Sequence, residues 1–568
     1  MLLNPHTYEP GHFDDTTRRF LRSTIDWFEE RGKTRLLADY HAHVSNADFL
    51  DFVSQSGLAT AFLTPAHASR GQDGRRWDMA RIAALTEITG FYGMNYLEPW
   101  QVTLLGLGAA YQSDNAAARA RVVSAMEAGG LAAFAVTERA HGADLYATEM
   151  NLTPDGSGRG GYLANGEKYY IGNGDRATTV AVFGRMANSD TYVFFRADAT
   201  HPAFQTIRSV VPQQSYVAHL RLEDYPVEVA DILHVGDAAF SAVLNTVSIG
   251  KLNLCFGGIG AATHAFFEAV THAHNRVLYG KPVTSMSHIR RMLVDAYARL
   301  VGMRMYCYRA LDYLRSASLE DRRYLLFNSV AKARATEDAV RVVGLLTDVV
   351  AAKAYESDTY LSLARQDTSG LAHLEGTAAV NLGLIAKFVP AFLFAPTDLP
   401  AVPPRLDAAD DTFLFHQGSA RGMSQVRFHD WRTAYAAYTH LPNVAQFATQ
   451  AEALTDLMAT SPPGAEQMQD LDLMLIFGQL FALVVYGQLI AEQAHLTSQD
   501  HDSVDAVFDV LVRDFSTHAV QLHGSRGATQ AQRSWALTAV RAPVVDQNRF
   551  DRLWKQVEEF SGAYEMRP

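Results

Sequence analysis

Glu375 stands in the stretch HLEGTAAVN, residues 373–381, with no acidic or basic side chain in the seven residues that follow it. Leu374 precedes it, and Gly376, Thr377 and small apolar residues come after. Burial disfavours the charged form of such an acid and raises its pKa. An acid tuned in this way serves as a general base near neutral pH. The same residue can equally be a helix acid that reaches water, so the local sequence leaves both readings open.

Three further stretches have residue types that could do chemistry. DYHAH, Asp39 to His43, places two imidazoles at i and i+2 after an acid, a pattern that can face one metal at the end of a barrel strand. That reading needs a parallel βα alternation the chain lacks, so His41 and His43 are expected at the surface or in packing, and no metal site is expected. GGIGAATHAF, from Gly257, has the glycines of a dinucleotide fingerprint. A fingerprint requires a strand, a tight turn and a helix start. Here the glycines fall inside a continuous helical pattern, where they would let helices approach. AFAVTERAHGAD (133–144) and NGEKYYIGNG (165–174) are more informative. A strand runs into Thr137 and Glu138 and then into a loop ending at Asp144; Tyr170 stands on a strand beside Gly172, Asn173 and Gly174. Polar backbone next to a flat aromatic ring suits a planar heterocycle, although either segment alone is more often a plain hairpin.

The elements that must position these residues change in period along the chain. With 568 residues, two to four domains are expected. Residues 1–130 read as an N-terminal helical domain, with Phe20, Leu21, Ile25, Trp27 and Phe28 spaced for one helix face. Residues 131–237 alternate at period two between Asn-Gly and Ser-Asp turn signals, as a small antiparallel β domain does. Residues 238–397 read as an antiparallel four-helix bundle, with helices over 243–278, 284–316, 321–356 and about 371–395. APTDLPAVPPRLDAADD marks a linker or boundary, and 398–568 form a further helical domain. The fold class is thus mainly α with a central β domain.

Composition limits the function classes. The chain is 48% hydrophobic with a formal net charge of −12, which argues against a nucleic-acid partner. Only Cys255 and Cys307 occur, and the start lacks a basic-then-apolar signal, so a reduced, cytoplasmic setting is expected. The apolar run from Leu473 is long enough for a membrane span. Its Gln and Gly interruptions favour a buried core helix, and no membrane partner is expected.

Taken together the motifs resemble one family. AFAVTERAHGAD resembles the F-x-x-T-E-P-x-x-G-S-D element of the acyl-CoA dehydrogenases, and NGEKYYIGNG resembles their N-G-x-K-x-W-I-T-N-G. NRVLYGKPV (275–283) is similar to their x-R-x-x-F-G-K-P-L, and LEGTAAVN to their Y-E-G-T-x-x-I-Q. Order and spacing agree over roughly residues 20–395. The resemblance implies an FAD enzyme that desaturates an acyl thioester, acyl-CoA or a carrier-protein-bound acyl group, to the trans-2-enoyl product. Glu375 would remove the α-proton while a hydride leaves the β-carbon for flavin N5. Val136 and Thr137 would contact the pyrimidine edge of the flavin, and Tyr170 would take the place of the family's Trp. Gly172 stands where a Thr or Ser lies beside N5, Arg276 would meet the pyrophosphate, and Thr377 and Asn381 the phosphate and adenosine portions. Ala143 and Gly376 would line the substrate.

Some positions depart from the family pattern. Arg139 replaces the Pro, Ala143 the Ser, Gly172 the hydroxyl residue, and Ala351-Ala352 a Gly-Gly pair. These leave open the electron acceptor, electron-transfer flavoprotein or oxygen, and the alternative of a flavin oxidase or monooxygenase on the same fold. Members with a long C-terminal extension imply a homodimer.

Overall fold

The computed structural model describes residues 2–568 apart from 70, 72–73, 157–159, 188 and 421–422. The chain divides into two compact units, Glu9–Gly257 with Leu406–Gly422, and Gly258–Arg405 with Met423–Arg567 and Met1–Tyr8. Helix and sheet in the first unit share one core. Gly106, on helix Met94–Tyr111, lies so close to the sheet that a Cβ there would come 2.7 Å from the Ala133 carbonyl oxygen.

That sheet has eight strands: β1 (Leu131–Ala135), β2 (Asn151–Pro154), β3 (Tyr162–Gly172), β4 (Ala177–Met186), β5 (Tyr192–Asp198), β6 (Phe204–Ser209), β7 (Val217–Val227) and β8 (Ile232–Val235). Their order is β6-β7-β3-β2-β4-β5-β8, with β1 also paired to β4. The sheet is mixed rather than purely antiparallel, since β1 and β2 each run parallel to β4. Its buried side, with Val180, Val182, Phe195, Leu220 and Leu222, follows the alternation of strands that are buried on one face.

Gly257 does what its helical setting predicts. A Cβ on Gly90, in helix Met79–Tyr92, would fall 2.5 Å from the Gly257 backbone, so the two helices touch main chain to main chain. The Pro/Asp-rich segment is pinned rather than free. Asp410 accepts from the Trp77 amide at 2.6 Å and Asp411 from the Met79 amide at 2.7 Å, at the start of that same helix.

In the second unit the long helices Ser287–Arg315 and Tyr324–Val350 pack together. The fourth helix expected over 371–395 is broken into Tyr360–Leu371, Ala378–Ile385 and Val389–Phe394. The break has local causes. Glu375 and Gly376 take left-handed backbone angles, φ 52° and 91°, and Pro390 stands in the first turn of the last piece. Glu375 is therefore on a turn and not on a helix.

The C-terminal block folds onto its own bundle. Helix Leu471–Leu496 covers the run read as a core helix, and 78% of its most apolar window is buried within the fold. Helix His501–Gly524 supplies Asp514, whose carboxylate meets Arg299 at 2.9 Å, Arg334 at 2.8 Å and Arg341 at 3.1 Å. Glu492 is a second anchor, held by Arg309 at 2.8 Å, Tyr313 at 2.8 Å and His429 at 2.9 Å. Burial alone would raise its pKa, but His429 and Arg309 bring it down to about 2. Glu492 thus binds fewer protons folded than unfolded. Its stabilisation is fully present above about pH 4.3 and is lost as pH falls from there through about 2. Acid titration followed by circular dichroism should show a shallower loss of stability below about pH 4 in Glu492→Gln than in the parent.

Candidate active site

Within the first unit, the loop after β1 is clamped by a buried lysine. Lys168 Nζ donates to the Val136 carbonyl at 2.9 Å and to Glu138 Oε1 at 2.7 Å. Glu138 also accepts from the Thr148 hydroxyl at 2.6 Å and from the Glu149 and Met150 amides at 2.7 and 3.1 Å. Burial would raise Glu138, yet Lys168 and these donors hold it below the usual carboxylate range. Burial also draws Lys168 down to about 8, against the pull of Glu138. The sequence reading missed this pair, although the Lys of NGEKYY and the Glu of VTE were both in view. Lys168→Met should cost about 1–3 kcal/mol, because Glu138 keeps three neutral donors but loses its cation. Thermal unfolding together with protease sensitivity at 137–150 checks this.

The clamp fixes Val136 and Thr137. The Thr137 carbonyl accepts from the Tyr169 amide at 2.9 Å, while among the described residues its own amide and hydroxyl have no protein partner. At the other end of the site's strand, β3 shifts register between Lys168 and Ile171, and Tyr170 adopts φ 60° with its side chain 60% exposed. Asn173 fastens the end of β3: its amide donates to the Pro99 and Ala132 carbonyls at 2.9 and 3.0 Å. Gly172 is crowded, since a Cβ there would lie 2.7 Å from Val102 and 3.0 Å from Glu98 Oε1. Ala143 is exposed in the loop, where its carbonyl accepts from the Leu145 amide.

The DYHAH pattern does not lie at a strand end. Asp39 and His41 are on helix Lys33–His41, Asp39 pairs with Arg31 at 2.6 Å, and His41 and His43 are exposed. Glu138, His141 and Glu149 bring one potential ligand atom each within 4.8 Å. Glu138 is already engaged by Lys168 and its donors, so the group acts as a loop clamp.

Within the second unit, the turn holding Glu375 is fixed on both sides. Lys332 is buried and donates to the Leu371 and Ala372 carbonyls at 3.1 and 3.0 Å, closing the helix that enters the turn. Thr377 caps the helix that leaves it, its hydroxyl accepting from the Val380 amide. The Asn381 amide donates to the Gly376 and Thr377 carbonyls at 3.0 and 2.9 Å, and its buried Oδ1 has no protein partner among the described residues. Thr377 and Asn381 therefore shape the turn as well as being candidate cofactor contacts. Arg276 follows helix Asp237–Asn275 and donates to the Val350 carbonyl at 3.2 Å. Next to that carbonyl, Ala351 keeps φ 60°, the conformation a glycine takes readily.

Residues 240–389 match the profile described as acyl-CoA dehydrogenase, C-terminal domain. The chain is 22% identical over 376 residues to the short-chain-specific acyl-CoA dehydrogenase of Megasphaera elsdenii, covering 65% of this chain and 96% of that protein. The profile match places residues 240–389 with the acyl-CoA dehydrogenase C-terminal domain. Cyclohex-1-ene-1-carbonyl-CoA dehydrogenase of Geobacter metallireducens is 26% identical over 231 residues, 40% of this chain, and the match spans only 59% of that relative's length.

Among acyl-CoA dehydrogenases, one structure also spans the C-terminal helices of this chain. The Bacillus anthracis acyl-CoA dehydrogenase complexed with FAD aligns with a TM-score of 0.75 at 15% identity, over 99% of this chain and 98% of that one. Helical domain, central sheet, bundle and C-terminal extension are thus one shared fold.

Proposed function

We propose that this chain is an FAD-dependent dehydrogenase of acyl thioesters, with Glu375 as the base that takes the α-proton. The observation that carries the reading is the Glu375 turn. It is a left-handed break in the bundle, held by Lys332 on one side and by Thr377 and Asn381 on the other. A base must be fixed within hydrogen-bond reach of the proton it removes, and a turn clamped at both ends supplies that fixity. The Glu375 backbone N–H would donate to the thioester carbonyl and stabilise the enolate as the proton leaves. Ala143 and Gly376 would leave room for the thioester.

FAD, when bound, supplies the acceptor for the hydride from the β-carbon. Its fit rests on donors and acceptors the fold leaves over. The Thr137 amide and hydroxyl would meet the pyrimidine edge, with Val136 beside them, and the exposed Tyr170 ring would lie against the flavin at Gly172. Asn381 Oδ1 is a buried acceptor without a partner among the described residues, suited to the adenosine portion, with Thr377 near the phosphates. Arg276 would meet the pyrophosphate. Arg276→Ala should release FAD on dialysis several-fold faster, while activity per bound flavin changes little, because a charge-assisted contact is lost. Unchanged flavin content after dialysis would remove Arg276 from that role.

The acyl carrier would be CoA or a carrier protein, and the acceptor electron-transfer flavoprotein or oxygen. A cytoplasmic homodimer is the assembly we propose, with light scattering as its check. Incubating the FAD-loaded chain with saturated acyl-CoAs and an artificial acceptor, followed by mass spectrometry, tests the activity. The expected product is two mass units lighter, a trans-2-enoyl thioester. Enoyl product with an equal amount of peroxide when oxygen replaces the artificial acceptor would favour an oxidase, and a hydroxylated product formed with oxygen and an added reduced nicotinamide would favour a monooxygenase.

A further inference from the structure

We infer that Glu98 is the polar partner of the flavin's reactive edge, standing where the side chain of residue 172 would otherwise be. The inference rests on the FAD reading above. Gly172 lacks the hydroxyl that resemblance places beside N5, yet its side-chain space is filled. A Cβ at 172 would lie 3.0 Å from Glu98 Oε1, so a carboxyl oxygen from helix Met94–Tyr111 occupies the direction a Thr side chain would take.

That carboxyl is aimed and held. Glu98 Oε2 accepts from Gln213 Nε2 at 2.9 Å and from the Ser215 hydroxyl, so the carboxyl is held by Oε2 while Oε1 faces Gly172. Gln213 and Ser215 also line a cavity of about 380 Å³ together with Asn173, Asp175, Pro99 and His43. Both groups that hold Glu98 are neutral. Burial therefore raises its pKa with only an amide and a hydroxyl opposing. An acid kept in this way retains its proton to higher pH than an ordinary glutamate, and a carboxylic acid donates a hydrogen bond as a hydroxyl does. Gly172 and Glu98 are thus a matched pair: the glycine makes room, and the acid brings back the polar group.

The Glu98 carboxyl takes no role in removing the α-proton, which remains with Glu375. Its effect would be on the flavin itself, so the test reads the flavin. The FAD-loaded protein is compared as parent, E98A, E98Q, E98A/V102A and E98A/V102A/G172S. Val102 is trimmed because a Cβ at 172 would also come 2.7 Å from its Cγ2. Visible absorption and reduction potential are recorded for each, with the unfolding temperature as a check on folding.

E98A and E98A/V102A should bind FAD but shift both the absorption maximum and the potential away from the parent. E98Q, which keeps a donor in place, should stay near the parent. Adding G172S to the double variant should bring both readings back toward the parent, because a serine hydroxyl now fills the emptied space. Spectra and potentials that do not respond to E98A, in protein that still folds and binds FAD, overturn the inference while leaving the FAD reading intact. A G172S variant that restores nothing overturns it as well. Parent protein that takes up no FAD overturns both.

Discussion

Glu375→Gln should keep the fold and the bound FAD and lower turnover by about two to four orders of magnitude, the range removal of a general base produces. Glutamine preserves the shape of the side chain and leaves the other fixings of the turn in place. Its backbone angles are set by Gly376, the Thr377 cap and the Asn381 amide. A structural glutamate would fail differently, with flavin loss and a lowered unfolding temperature. A variant that reduces its flavin with an acyl thioester at the parent rate would exclude Glu375 as the base.

Asp514→Ala should be the most destabilising single change in the C-terminal block. Asp514 meets three guanidinium groups, and Arg299 and Arg334 are almost fully buried. Burial would raise its pKa, but Arg299, Arg334 and Arg341 hold it well below the usual carboxylate range. Removing it leaves Arg299 with Asp338 at 2.8 Å and strips Arg334 of its nearest acid. Breaking a buried ion group in this way costs about 3–5 kcal/mol. Denaturant unfolding of Asp514→Ala beside the exposed control Asp551→Ala measures the difference. Equal midpoints would mean the extension is fastened to the bundle chiefly by its apolar contacts.

The sequence made some parts of this site readable and hid others for physical reasons. Strand alternation and Asn-Gly turns marked the β domain, because a half-buried strand writes its period into every second residue. The mixed pairing of β1 with β4 was hidden, since nothing in a strand's own sequence names its neighbour. The turn at Glu375 was read as helix because LEGTAAVN has helical composition, and only Gly376 hinted at the left-handed break. Lys168 was passed over because a lysine in a strand is ordinarily solvated, and its partner Glu138 lies 30 residues away. Glu98 gave no signal at all: Gln213, which holds it, is 115 residues distant. Asp514 is 215 residues from Arg299, so nothing local in the sequence showed where the extension docks.

If this chain passes an acyl thioester's electrons to a bound flavin with Glu375 as base, the flavin must respond to substrate without oxygen. The direct measurement is rapid mixing of the FAD-loaded protein with short- to long-chain saturated acyl-CoAs under anaerobic conditions, followed at the flavin absorption band. At least one acyl-CoA should bleach the parent's band, and Glu375→Gln should bind the same acyl-CoA with bleaching slowed at least about a hundredfold. A flavin that stays fully oxidised in the parent across the whole series, or a Glu375→Gln protein that bleaches as fast, would contradict that chemistry.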